Sequence, residues 1–410
     1  MNRKRLIVIG AGAAGFFCAV NAARLNPLLE VIIVEKTGKF LTKVKVSGGG
    51  RCNVTHSCFS ITDMIRNYPR GAQFLKKAFH QFFTTDTIQW FEERGVRLKT
   101  EKDGRMFPVT DSSQTIIDCL MQELNKYQVQ LWLNKEVISL HYSEDQWSVG
   151  FKEKTETADY ICIAGGGYSK ASSFEWIRSM GHLVEDPVPS LFTFNLPGNP
   201  ITSLMGISVE NARIRIAGSR SQQQGPLLIT HWGISGPAVL KTSAWEAREL
   251  ARVNYEFVVM INWIPEFNET TLRERFNQLR AELGGQKIIN KNPFGLAQRL
   301  WEYLCAQSDC REDVRWADLP AAVQTKLIKN CISQELQAKG KTTFKEEFVT
   351  AGGIRLQEID PNTMQSKIRN SLFFSGEIMD IDGVTGGFNF QHAWTSGWIA
   401  ANAIARISES

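Results

Sequence analysis

Along this 410-residue chain the apolar positions switch between two periods, and the switches mark its elements. Residues 6–9 are an unbroken apolar run, the pattern of a strand buried on both faces, and glycines follow at once. Residues 11–25 then predict a helix and 31–34 a second buried strand, so residues 5–35 read as a βαβ unit with a right-handed crossover. Between Phe74 and Phe91, Leu75, Phe79, Phe82 and Phe83 recur at helical spacing, and Asp111 or Ser112 is placed to cap a helix running to about Tyr127. Residues 137–140, 147–151 and 160–164 predict three short strands.

The texture changes near Pro187. From there to 345 the chain holds most of its prolines and interleaves strand-like runs (212–216, 257–261) with helix-like ones (270–283, 321–338). This predicts an insert, a small barrel with a helical piece. From 348 onward glycine-rich turns and a buried strand at 372–374 return, followed by a helix from about His392 to Ile407, so the first domain resumes. The expected boundaries are 1–190 and 346–410 for the first domain and 191–345 for the insert, with its barrel at about 191–262 and 328–345 and its helical part at about 263–327.

Composition narrows the class: 43% hydrophobic and 22% charged residues fit an ordered globular protein. No apolar run reaches the length of a membrane span, and the first apolar run is too short for a signal peptide, which predicts a cytoplasmic protein. The eight cysteines form no C-x-x-C pair, so neither a zinc knuckle nor a redox dithiol is indicated and a reducing compartment fits. No histidine pattern suggests a metal site; His231 and His392, in loop-like settings, are candidate acid–base residues whose commoner role is structural. Residues 1–110 carry 18 Lys and Arg against 8 Asp and Glu, a field suited to an anionic ligand or to a solvated surface.

Four motifs carry candidate chemistry. Gly10-Ala11-Gly12-Ala13-Ala14-Gly15 stands between a strand and a helix, with Glu35 closing the next strand. The first glycine permits the turn, the second lets backbone approach a pyrophosphate at the helix N-terminus, and the third lets helix and strand pack closely. Glu35 would accept hydrogen bonds from the adenosine ribose. Ser47-Gly48-Gly49-Gly50-Arg51-Cys52-Asn53 supplies backbone free to wrap a ligand and a guanidinium for phosphate, with Cys52 read as a packed residue rather than a redox thiol. A strand runs into Ala164-Gly165-Gly166. The segment from Gly376 and Glu377 through Gly386, Gly387, Phe388 and Asn389 leads into the last helix, whose N-terminus would face negative charge developing on a reduced flavin.

Together GAGAAG (10–15), SGGGRCN (47–53), THWGISGP (230–237), VTAGGI (349–354) and GEIMDIDGVTGGFNFQHAW (376–394) resemble, nearly end to end, the BaiN-like family of NAD(P)/FAD-dependent oxidoreductases, also called the YhiN or aminoacetone-oxidase-like flavoproteins. The resemblance implies an α/β fold: a Rossmann-like FAD-binding domain of the two-dinucleotide-binding-domain flavoprotein type, with an inserted small β-barrel and helical subdomain. It implies FAD contacts at Gly10, Gly12, Ala13, Ala14, Gly15, Glu35, Lys36, Lys43, Ser47, Gly48, Gly49, Gly50, Arg51, Cys52, Asn53, Val137, Ala164, Gly165, Gly166, Gly376, Glu377, Gly386, Gly387, Phe388 and Asn389. Where the family carries Gly-Arg-Lys or Gly-Lys-Lys before the glycine loop, this chain has Leu41-Thr42-Lys43, so no contact is carried over to position 42.

The implied activity is hydride transfer between flavin N5 and a small organic substrate, with NAD(P)H as a candidate donor that must visit the flavin directly because only one glycine fingerprint is present. No catalytic side chain, membrane association, metal or obligate protein partner is indicated. The alternative is a flavin-bearing RNA-binding or RNA-modifying protein, suggested by the basic N-terminal part; the sequence favours the small-molecule reading, since no RNA-binding motif stands out.

Overall fold

The computed structural model describes residues 3–342 and 349–409. The chain divides into two compact units, Met1–Ser190 with Phe344–Ser410, and Leu191–Thr343. The expected return to the first domain at 345/346 lies outside the described residues.

The first unit is built on a five-stranded parallel sheet in the order Leu372–Phe374, Tyr160–Ile163, Arg5–Ile9, Glu30–Val34, Gln130–Trp132. Ile7 stands opposite Ile161 on one side and Ile32 on the other, and all three are fully buried, as the continuous apolar runs predict. One face is covered by the helix Ala13–Leu25, which packs on the last helix, Phe388–Ser408. Their approach is close because of Gly397: a Cβ there would lie 2.7 Å from the Ala14 carbonyl oxygen. The last helix starts four residues before the expected His392. Gly387, at φ +94°, turns the chain, and the Gln391 N–H bonds the Gly387 carbonyl to open the helical ladder.

The remaining elements of this unit support that sheet. Phe74 to Phe91 folds as two helices, Ala72–Ala78 and Thr84–Glu92, and Ser112 caps Ser113–Lys126 by accepting from the Gln114 N–H. Val137–Ser143 and Gln146–Phe151 form a hairpin extended by Thr155–Ala158. Val184–Ser190 pairs antiparallel with Val349–Ile354, which sets Ser190 directly opposite Val349.

The second unit is a seven-stranded sheet in the order Gln334–Lys339, Glu256–Asn262, Ser208–Ile216, Gln222–Thr230, Gly233–Ser235, Thr193–Asn195, Lys341–Thr342. Its two outermost strands are separated in the chain by Gly340 alone, so the sheet curls round into a barrel. Three helices, Glu269–Glu282, Gln298–Ala306 and Ala321–Ile332, share one core with it. The helix expected over 321–338 ends at Ile332: from Gln334 every second residue (Gln334, Leu336, Ala338) is buried, which is the strand period.

Candidate cofactor site

The carboxyl ends of three neighbouring parallel strands bring the glycine motifs together. Gly10, at φ +113°, lies against the end of the adjacent strand; a Cβ there would sit 2.4 Å from the Ala164 carbonyl oxygen. Gly15 is closed more tightly still, since its Cβ would meet the Gly10 oxygen at 2.0 Å. Gly376, from the third strand, rests on Ala14, with 2.7 Å left for a Cβ. Gly12 is different: its φ of −91° suits any residue and no atom lies within 4 Å of its Cβ position. It precedes a helix with no capping side chain and no acid in its first turn, so that N-terminus is ready for an anion.

Glu35 closes the next strand and holds the turn. Its Oε2 accepts from the Ala11 N–H at 3.2 Å, while Oε1 accepts from the Thr37 N–H and hydroxyl at 3.0 Å each. Beside it the Lys36 ammonium lies 5.9 Å from the centroid of the Tyr168 ring, and burial pushes the Tyr168 hydroxyl up to about 12, so it stays protonated. Sequence reading missed Tyr168. Its signal was an aromatic directly after Gly165-Gly166-Gly167, where the chain leaves the sheet.

The loop after Ser47 runs through three left-handed glycines, at φ +59°, +70° and +84°, and Gly49 and Gly50 face open space. Upstream, Leu41 occupies φ +50°, the left-handed conformation that the glycine of the family pattern adopts freely. Lys43 is paired at 2.5 Å with Glu377, whose second oxygen accepts from the Thr350 N–H at 2.8 Å. A cradle with an uncapped helix N-terminus, open space at Gly12, Gly49 and Gly50, and an acid closing the next strand fits a dinucleotide.

Comparison with known proteins agrees. The HI0933-like protein Rossmann domain model matches residues 4–403. The chain belongs to the HI0933-like family. This is the FAD-dependent oxidoreductase family of the BaiN and YhiN type that the motifs resemble. The chain is 30% identical to the ribosomal RNA dihydrouridine synthase of Escherichia coli, with 100% of both chains covered. It is 27% identical to the 3-dehydro-bile acid delta(4,6)-reductase of Clostridium scindens over 98% of this chain and 99% of that one. Among solved structures, 3-ketosteroid-delta4-(5alpha)-dehydrogenase from Rhodococcus jostii is 12% identical, covers 98% of this chain and 97% of that one, and superposes with a TM-score of 0.53, a likeness of fold.

Within this HI0933-like cradle several predicted contacts are already engaged by protein. Arg51 ion-pairs with Glu101 at 2.6 Å and stacks 4.0 Å from the centroid of Phe107, so its charge is largely spent inside the loop. Cys52 is buried, and desolvation pushes its thiol up to about 12, which matches a packed rather than a reactive residue. With the Asn53 amide turned to place its nitrogen toward the Thr55 and Met106 carbonyls, its oxygen accepts from the Gly387 N–H at 2.8 Å. Gly387 itself is wedged against backbone, since a Cβ would lie 2.5 Å from the Thr55 oxygen. Asn389 both accepts from and donates to the backbone of Gly383, which staples the preceding loop. Val137 opens the hairpin, half-buried.

Of the two candidate acid–base histidines, His392 is buried beside the Gly376 backbone and His231 is in the second unit. His392 is 2% exposed, neither ring nitrogen has a well-aligned hydrogen-bond partner among the described residues, and burial lowers its pKa to about 4, so it is neutral at pH 7. His231 belongs to the second unit, exposed in the two-residue turn between Gln222–Thr230 and Gly233–Ser235. His56, isolated in sequence, stacks on Phe388 with ring centroids 4.8 Å apart, beside Gly386.

Proposed function

We propose that this chain holds FAD in the cradle of its first unit and reduces a carbon–carbon double bond conjugated to a carbonyl, with uridine in ribosomal RNA as the favoured acceptor. The reading is carried by the glycine cradle together with end-to-end similarity to two enzymes whose names share one chemistry. Saturating an enone of a 3-dehydro bile acid and converting uridine to dihydrouridine both add two hydrogens across a double bond activated by a neighbouring carbonyl.

When bound and reduced, FAD supplies the hydride from N5. The chain's own residues supply binding and orientation. The turn at Gly10, Gly12 and Gly15 and the N-terminus of Ala13–Leu25 would hold the pyrophosphate, and Glu35 the adenosine ribose, with Lys36, Val137 and Gly165–Gly166 lying toward the adenosine end. Lys43, the 47–53 loop, Gly376, Glu377 and the Gly386–Asn389 turn would surround the rest. The last helix presents uncapped N–H groups that favour negative charge on a bound ring.

RNA is ranked above a free enone for two reasons. The relative named for ribosomal RNA is the more similar of the two, at 30% identity against 27% for the bile-acid relative. Within the basic first 110 residues, Lys39, Lys45, Lys76, Lys77, Arg97 and Lys102 are exposed and form no ion pair among the described residues, which suits a phosphate backbone. The second reading, a free steroid-like enone with NAD(P)H as donor, is favoured by the bile-acid relative.

The test is to load the protein with FAD, reduce it anaerobically with NADH, NADPH or dithionite, and offer unmodified ribosomal RNA and a 3-oxo-Δ4 steroid acid in parallel. Mass spectrometry of nucleosides and steroid reads the product. Dihydrouridine is expected; saturation of the steroid alone replaces the RNA reading with the second, and reduced flavin that turns over neither overturns both.

A further inference from the structure

A cavity of about 330 Å³ opens on the first unit away from the glycine cradle. It lies between the hairpin tip at 360–365, the edge strand Leu372–Phe374 and the C-terminal half of the last helix. Its nearest helical residue, Trp398, is ten positions beyond Phe388, roughly 15 Å along the axis from the end that borders the cradle. The volume falls in the range of small-molecule sites.

The lining has a definite chemistry. Trp398, half-buried and held by stacking on Phe82 at 5.2 Å, gives an aromatic wall, and Phe373 lies fully buried behind the lining. Gln365 makes no side-chain hydrogen bond among the described residues. Asn402 spends its Nδ2 on the Trp398 carbonyl at 2.9 Å and leaves its oxygen free as an acceptor. Arg406 is the one charged residue of the lining; it is exposed and has no ion-pair partner among the described residues. No carboxylate lines the cavity.

We propose that this cavity binds a nucleoside monophosphate, independently of the FAD cradle. A flat base suits the Trp398 ring, the Gln365 amide that donates and accepts and the Asn402 oxygen that accepts suit the edge of a base, and a lone guanidinium suits one phosphate. A plain aromatic carboxylate would satisfy Trp398 and Arg406 but leave the Gln365 amide and the Asn402 oxygen unmatched, so the nucleotide uses more of what the cavity offers.

The experiment is titration calorimetry on the full chain saturated with FAD, which blocks entry of a nucleotide into the cradle. UMP, CMP, AMP and GMP are each titrated, and uridine and inorganic phosphate are run separately to divide the base from the phosphate. At least one mononucleotide should bind at one site per chain, more tightly than its nucleoside or phosphate alone. Arg406→Ala should weaken it roughly tenfold or more, as losing charge-assisted hydrogen bonds does. Gln365→Ala should weaken it less and change the preference among bases. Both positions are away from the core, so FAD content and melting temperature should stay as in the parent. Absence of binding by all four, or binding that neither variant weakens, overturns the proposal; the second outcome locates the nucleotide elsewhere on the protein.

Discussion

Glycine does opposite work in two motifs of this chain, one in each unit. In the THWGISGP segment of the second unit, Gly233 and Gly236 are there because backbone presses on them: a Cβ would lie 2.1 Å from the Phe194 oxygen and 2.8 Å from the Pro226 oxygen. Both also sit at positive φ, +155° and +99°. In the first unit Gly12 has neither excuse, because its φ is ordinary and its Cβ position looks into space. At an uncapped helix N-terminus that follows a buried parallel strand, such a glycine leaves room for a ligand's phosphate to approach the backbone. Motifs that look alike in sequence are thus separable by what a methyl group would meet.

The bluntest way to break this comparison is to remove the second unit. Ser190 and Val349 are opposite one another on paired strands, so a short glycine-serine linker can replace 191–348 without stretching the flanks. The truncated protein should retain FAD at one per chain and lose all substrate turnover. A soluble, folded truncation without flavin would show that the cradle depends on the second unit, and the contrast drawn above would fail.

Single glycines sharpen the same point. Gly15→Val must push a side chain through the Gly10 carbonyl and should cost more than about 3 kcal/mol, enough to leave little folded protein. Gly12→Val should leave the stability of the FAD-free protein within about 1 kcal/mol of the parent, the cost of a less favoured N-cap residue, while FAD binding falls beyond detection. Equal destabilisation by the two, measured by chemical denaturation of the FAD-free forms, would mean that Gly12 is structural.

The buried His392 gives the next effect, a pH dependence. Its folded pKa, about 4, is below the ordinary histidine value of about 6.5, so between these pH values the unfolded chain binds the proton and the folded one does not. Stability from this group is therefore complete above pH 6.5 and is lost as pH falls toward 4, by about 3 kcal/mol in all. His392→Phe should flatten that part of the stability profile. An unchanged slope between pH 6.5 and 4 would show that His392 has an unshifted pKa or a proton partner.

These cases show what the chain discloses before folding. The parallel sheet was legible because 6–9 and 31–34 are continuously apolar beside a glycine turn, and local signals also placed the Ser112 cap. The errors fall where tertiary contacts decide. Residues 334–338 continue a helical-looking sequence, yet the neighbouring strand Glu256–Asn262 recruits them into the barrel. At the site, the glycines announced themselves, whereas Tyr168, the stacking of His56 on Phe388 and the diversion of Arg51 to Glu101 each depend on residues far apart in sequence.

Gly387 lies between the two classes of glycine. Its place beside the expected flavin ring suggests that a substitution slows flavin reduction, but a Cβ there meets the Thr55 carbonyl, and φ is +94°. Gly387→Ala should therefore act first on stability, by about 1 to 3 kcal/mol, and the fraction that folds with FAD should be reduced at close to the parental rate. A parental melting curve with a rate lowered a hundredfold would return Gly387 to the ligand-facing class.

The smallest effect belongs to Cys52, which shares a loop with the open glycines but not their exposure. Its thiol is fully buried and pushed up to about 12, so at pH 8 almost none is thiolate, and the thiolate is the nucleophilic form. Cys52→Ala removes only the sulfur from a site already held at φ +62° by the Cys52 N–H bond to the Ser47 carbonyl, which the variant keeps. Stability should fall by about 1 kcal/mol, the transfer cost of one small buried group. The rate of flavin reduction by rapid mixing should match the parent from pH 7 to 9. A rate that collapses in Cys52→Ala, or that rises in the parent with a thiol-like pKa near 8, would make Cys52 a participant and bring the buried side of this loop into the chemistry.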